Sequence, residues 1–247
     1  MSKLAALKKL TTVASVSNNL SWIFFAAYQS AIQYQFGKQR VTKLATLAVT
    51  ERKGQPLRTI YDQTTNTIVL KGLKSWLVSA NVNEIIIFAR LPKPVMTNQK
   101  SEGKYFKSIL AFISPDKSTK LTVFEKVHFL EKLKQGKIQL NSTRVKMENI
   151  LSGKEIRNFR IIEKYFTILS LTIFFFLKIK SNRLKNIYYN LGHELIDLLI
   201  KRRLSSKTLR PLNNKFQHAF KLFGKLPERR SVVDWETDKN LFKVLTK

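Results

Sequence analysis

The chain has no cysteine, which excludes a disulfide scaffold and thiolate metal centres while leaving the compartment open. Its eight glycines are dispersed, and neither a GxxxxGK[ST] nor a GxGxxG phosphate loop is present. His128, His193 and His218 stand apart, with no carboxylate at metal-ligand spacing; His193-Glu194 lacks the second histidine of a zinc-binding helix. Long apolar runs are also missing. The uncharged stretch from Thr11 to Gly37 is interrupted by Ser, Thr, Asn and Gln, and Tyr165 to Leu177 is apolar but short, so no membrane-spanning helix is expected. Acids are scarce: 16 Asp and Glu face 45 Lys and Arg, giving a formal net charge of +29.

That charge is the strongest positive signal. A compact body so unbalanced repels itself and calls for a polyanion, either nucleic acid or an anionic membrane surface. The plainer alternative is a Lys-rich solvated surface. With 44% hydrophobic residues, including 17 Phe, the chain can bury a core and is not a disordered basic tail. No acid precedes Glu51, whereas Lys3, Lys8, Lys9, Lys38, Arg40 and Lys43 do. Such a Ser/Thr-rich, acid-free start reads as a mitochondrial targeting segment. With Met1 in place, the segment would be retained, or the chain would be made inside the organelle. The Phe, Ile, Lys and Asn enrichment after residue 155 suits an AT-rich organellar gene.

Along the chain, Leu20, Ile23, Phe24, Ala27 and Ala31 recur at helical spacing within residues 1–36. Leu57–Asp62 and Thr67–Leu70 predict a β-hairpin, and Glu84–Arg90 a further strand stopped by Pro92 and Pro94. Residues 93–104 read as a loop, Thr122–Lys134 as a short helix, and 136–160 as basic and unpatterned. The β-rich run Ile168–Ile179 predicts a strand. Asn182 offers an N-cap for a helix marked by Leu184, Ile187, Tyr188, Leu191, Leu195, Leu198 and Leu199, with Lys201, Arg202 and Arg203 in its last turn. Beyond it the chain is basic and turn-rich to Arg230, and residues 231–244 suit a strand pair or a short helix. Two regions follow: residues 1–155, a mixed helix and hairpin extension, and residues 156–247, an RNA-binding α+β domain.

Phe216, Phe220 and Phe223 interleave with Lys215, Lys221 and Lys225. The rings read more naturally as a core edge than as base-stacking platforms, and the cations as phosphate contacts. In the last third Leu177-Lys178 precedes Arg183-Leu184, which opens the leucine-rich helix; Leu209-Arg210-Pro211-Leu212, Pro227, Arg229-Arg230-Ser231 and Asp234-Trp235-Glu236 follow. This order resembles the small-subunit ribosomal protein S-ten family over about 75 residues. Ser181-Asn182 replaces that family's Asp-His, and most of its proline-rich strand entry is missing. The resemblance implies an α+β fold with a C-terminal ferredoxin-like split β-α-β part and a long basic hairpin reaching into RNA.

No catalytic constellation is visible. Asp234, Glu236 and Asp238 form the nearest acidic cluster and read as a solvated turn rather than a metal site. The expectation is therefore not an enzyme but a structural constituent of the mitochondrial ribosome in the matrix. Its partners would be rRNA and neighbouring ribosomal proteins, with no cofactor and no small-molecule substrate. Lys178, Lys180, Arg183, Lys201, Arg202, Arg203, Lys207, Arg210, Lys215, Arg229 and Arg230 would make the phosphate contacts. A second expectation is a basic accessory subunit of a mitochondrial inner-membrane complex. A third, an organellar splicing or DNA-binding factor, lacks a binding motif.

Overall fold

A computed structural model describes residues 3–37, 39–51, 57–97, 104–201 and 203–239. The fold is mixed α+β and divides into two units. One is helical and gathers residues 1–40, 128–133 and 159–247; the other is built of strands from residues 41–127 and 134–158.

The β unit has two four-stranded sheets. The first orders β1 (Ala45–Ala48), β4 (Glu84–Thr97), β5 (Lys104–Ile113) and β8 (Ile150–Ser152), with β1 and β4 parallel. The second orders β2 (Arg58–Asp62), β3 (Thr67–Leu77), β7 (Gly136–Lys146) and β6 (Thr119–Val123), antiparallel throughout. Alternation decides which face is covered. Ile68 and Leu70 of β3 and Ile138, Leu140 and Val145 of β7 point inward, meeting Ile85, Ile87, Ala89, Ile109 and Ala111 of the first sheet in one core. Gly136 is required where β6 and β7 close together, since a Cβ there would lie 2.3 Å from the Thr122 carbonyl oxygen.

The hairpin expected at 57–70 is β2–β3, and the strand expected at 84–90 is the first half of β4. β4 does not stop at the prolines; it runs to Thr97 through a register shift between Arg90 and Val95. A shift of this kind spares the ladder the missing proline donors. The helix expected at 122–134 is absent. Its stretch ends β6 and then turns, with Leu130 held at φ 52°. The unpatterned stretch from residue 136 contains β7 and β8.

The helical unit contains α1 (Lys3–Val16), α2 (Leu20–Phe36), α3 (Phe159–Lys178), α4 (Asn182–Ile200) and α5 (Ser206–Phe223). α3 packs against each of the other four. Between Tyr165 and Thr172 every residue is buried, so this stretch lacks the one-sided stripe that marks a surface helix. This is why Ile168–Ile179 reads as a strand and is in fact the end of α3, and why the ferredoxin-like split β-α-β arrangement is not seen. Tyr165, Phe166, Ile168, Leu169, Leu171, Phe174 and Phe175 of α3 are all fully buried.

The expected basic hairpin is likewise replaced by α5. Leu209, Leu212, Phe216, Ala219, Phe220 and Phe223 recur at three and four residues and are buried, so the three rings belong to the core. Ser205 caps the helix reciprocally: its hydroxyl accepts from the Thr208 amide at 3.2 Å, and the Thr208 hydroxyl accepts from the Ser205 amide at 3.1 Å. α4 matches its expected leucine spacing, with Ser181 rather than Asn182 at the N-cap.

Candidate functional site

Two places concentrate unusual chemistry, one in each unit. In the helical unit, Glu163 lies near the start of α3, largely buried. Aromatic rings crowd that end of the helix. Phe159 meets Tyr28 edge-on at 6.0 Å and stacks with Phe36 at 6.1 Å, while Phe166 packs against Tyr34 at 5.6 Å and Tyr165 at 5.2 Å. The Tyr165 hydroxyl donates to the Leu195 carbonyl at 2.8 Å and so ties α3 to α4. Withdrawal from water pushes the Glu163 carboxyl up to about 7, and the Arg160 guanidinium one turn earlier only partly opposes this. Its backbone carbonyl accepts from the Thr167 hydroxyl at 2.8 Å. Its carboxylate makes no ion pair with any described residue. A largely buried carboxyl that titrates near neutrality, with no ion pair and only the Arg160 charge opposing, is suited to accept and release a proton.

In the β unit, Lys74 of β3 is completely buried. Its ammonium donates to Glu51 at 2.5 Å and to the Val49 carbonyl at 3.2 Å, and lies 6.0 Å from the centre of the Phe88 ring. Desolvation lowers its proton affinity, an effect that Glu51 resists. Beside the pair, the Ser75 amide donates to the Thr50 carbonyl at 2.9 Å, and the Trp76 indole N–H donates to Gln135 at 3.0 Å. Val49, 39% exposed, and half-buried Trp76 leave an apolar edge open to a ligand.

The basic residues expected to contact phosphate do not converge on one place. Lys178 donates to Asn18 at 2.5 Å, Lys201 pairs with Asp197 at 2.7 Å, Lys215 with Glu194 at 2.7 Å, and Arg229 donates to the Gly224 carbonyl at 2.7 Å. Lys180, Arg183, Arg203, Lys207, Arg210 and Arg230 are exposed, Lys207 and Arg210 together on α5, and Arg202 lies outside the described residues. The acidic cluster near the C-terminus is not a solvated turn. Asp234 accepts from the Leu20 and Ser21 amides at 2.6 and 2.9 Å, capping α2. Asp238 is fully buried, accepting from Ser21 Oγ at 3.0 Å and the Leu130 amide at 2.8 Å. Burial and the nearby Asp234 charge raise Asp238 to about 6, with those two hydrogen bonds opposing the rise. Glu236 pairs with Lys239.

The fold is similar to those of several solved structures. The chain is similar to an FAD-dependent dehydrogenase with TM-score 0.59 and 11% identity, covering 98% of this chain and 83% of that one. Butyryl-CoA dehydrogenase from Megasphaera elsdenii gives TM-score 0.53 and 13% identity, covering 96% and 79%. Glutaryl-CoA dehydrogenase from Mycobacterium smegmatis gives 0.53 and 10%, covering 98% and 85%. No protein-family model and no curated protein matches the sequence.

These likenesses define the fold, and they overturn the ribosomal expectation. The similar solved structures named above are dehydrogenases, not ribosomal proteins, and the S-ten resemblance rested on short motifs that fall in and after helices α3 to α5, with no β-hairpin among them. The expectations of an rRNA partner, an inner-membrane accessory subunit and a non-enzymatic role fall with it. Net charge reports attraction to polyanions in general and carries no information on fold. No helix among the described residues is long and apolar enough to cross a membrane.

Proposed function

We propose that this chain is a flavin-dependent dehydrogenase acting on an acyl thioester, with Glu163 as the base that removes the proton next to the thioester carbonyl. The observation that carries this reading is the extent of the likeness: the dehydrogenase fold accounts for 98% of the chain. Glu163 supports it independently. A base titrating near 7 is ionised often enough to act at neutral pH and still binds the proton it takes.

The donor set suits a flavin dinucleotide. Trp76 and Val49 supply an apolar edge for a flat ring, and the cation surplus suits a diphosphate. When bound, the flavin supplies the hydride acceptor. On this reading the Glu163 carboxylate takes the proton, its affinity for it raised by withdrawal from water.

The test is purification with flavin, followed by acyl-CoA-dependent reduction of a dye acceptor. Glu163→Gln should keep the flavin and lose about 10²–10⁴-fold in turnover, and the wild-type rate should climb through about pH 7 as Glu163 ionises. A chain that takes up no flavin, or whose turnover ignores the Gln substitution, sinks the reading.

A further inference from the structure

The outer face of the β2–β3–β7–β6 sheet is strongly cationic. Arg58 of β2 stands directly opposite Lys71 of β3, and both are exposed. Like charges facing each other across a ladder destabilise it. No acid offsets this pair: neither side chain forms an ion pair with a described residue. One row along, Ile60 of β2, Val69 of β3 and Arg144 of β7 are aligned. Arg144 is exposed, and Ile60 is 63% exposed, an unusual position for an isoleucine beside three cations.

The backbone at this spot is irregular as well. The β3–β7 register shifts between Leu70 and Gly72, so Lys71 faces the bulged pair Asn141 and Ser142. Gly72 has φ 140° and Ser142 has φ 61°, the latter in the left-handed region that a serine adopts at some cost. The Asn141 amide is spent on the Ser118 carbonyl at 2.8 Å, while the Ser142 side chain is exposed next to Lys71. Asp62, the one acid of β2, lies two residues beyond Ile60, and its carboxylate accepts from the Thr64 and Thr65 amides at 3.1 and 3.3 Å.

From this arrangement we infer that Arg58, Lys71 and Arg144 form a binding site for a phosphate monoester on a nucleotide, with Ile60 and Val69 as an apolar seat for its base. Adjacent strands are about 5 Å apart and rows on one face about 7 Å. Three long cationic side chains rooted at those spacings can therefore close on one phosphate, with the Ser142 hydroxyl as a further donor. A bound phosphate dianion converts the Arg58–Lys71 repulsion into two attractions. Resting on the dehydrogenase reading, the site would receive the adenosine bisphosphate end of a coenzyme A thioester.

The experiment is calorimetric titration of the full chain with adenosine 3′,5′-bisphosphate. The wild type should bind, and R58E/K71E should bind about tenfold or more weakly. K120E/K137E reverses two cations on the same face away from the bulge and should leave affinity within about twofold, beyond salt screening. Equal weakening in both variants would mean a diffuse field and overturn the site, as would no binding by the wild type. Binding to phosphatidylglycerol-containing vesicles that the bisphosphate does not displace would assign the cations to lipid and overturn it too. E163Q separates the two readings, because it should bind the bisphosphate like wild type. Undiminished turnover in E163Q would sink the dehydrogenase reading and leave the phosphate site standing.

Discussion

The two units treat buried charge in opposite ways. The β unit buries Lys74 with its counter-ion Glu51 and a carbonyl in attendance. The helical unit leaves Glu163 desolvated without an ion-pair partner and seats Asp238 near a second acid, Asp234. A buried pair is consistent with a purely structural role, since breaking it strands a charge. A desolvated carboxyl with no partner costs stability, and folds keep such groups where the group has chemistry to perform. Asp238 falls between the two, because hydrogen bonds from Ser21 and Leu130 compensate its burial.

Substitutions can break this contrast. The largest loss belongs to the pair: Lys74→Met should cost about 3 kcal/mol by leaving Glu51 uncompensated. Adding Glu51→Leu should recover most of it, and urea unfolding of the single and double variants measures the coupling. Next comes Asp238→Ala, which deprives the buried Leu130 amide of its acceptor and Ser21 Oγ of one of its two, and should cost about 2 kcal/mol.

Two pH profiles sharpen it further. Asp238 near 6 holds a proton that the unfolded chain, near 3.8, has released. Stability should therefore fall as pH rises from about 4 to about 6 and level off above, the two acids titrating as a pair. Asp238→Asn should flatten that part of the urea-midpoint profile. By the same sign, Glu163, raised from 4.5 to about 7, subtracts stability as pH climbs through that window. Glu163→Gln should thus be more stable than wild type at pH 8, by on the order of 1–2 kcal/mol, and nearly equal to it at pH 4.5. A variant destabilised at pH 8 would mean that Glu163 is an ordinary structural acid. The smallest effect expected is Tyr165→Phe, about 1 kcal/mol for the lost bond to the Leu195 carbonyl, read from the thermal midpoint.

How much of this was legible depended on whether an element has one wet face. The β2–β3 hairpin and the leucine stripe of α4 do, and both could be read from the residues; α2 and the first half of β4 are buried on nearly every side and were read from helical spacing and from a β-branched run instead. α3 is buried on all sides between Tyr165 and Thr172, so there only its length argued against a strand. α5 has a clear apolar stripe, yet Pro211 inside it and the density of cations suggested a loop. Its Ser205–Thr208 cap was an available signal, although threonine in place of the usual Glu or Gln at the third position obscures it. The candidate base was harder. Glu163 is a single acid between Ile162 and Lys164, and nothing in the spacing distinguishes it from a surface residue until the fold withdraws it from water. The surplus of cations spoke loudest and said least, because charge constrains neither topology nor chemistry.

The Asp234 cap on α2 also sets an order of events during synthesis. The amides of Leu20 and Ser21 emerge from the ribosome more than 200 residues before the carboxylate that receives them. Every residue of the β unit is made inside that interval, so it can complete its sheets while α2 waits without its Asp234 contacts and both α1 and α2 wait without α3. The nascent chain must shelter the apolar faces of Ile23, Phe24 and Ile32 throughout. A chaperone that holds such segments would matter more to the yield of this protein than to that of one whose helices close on near neighbours.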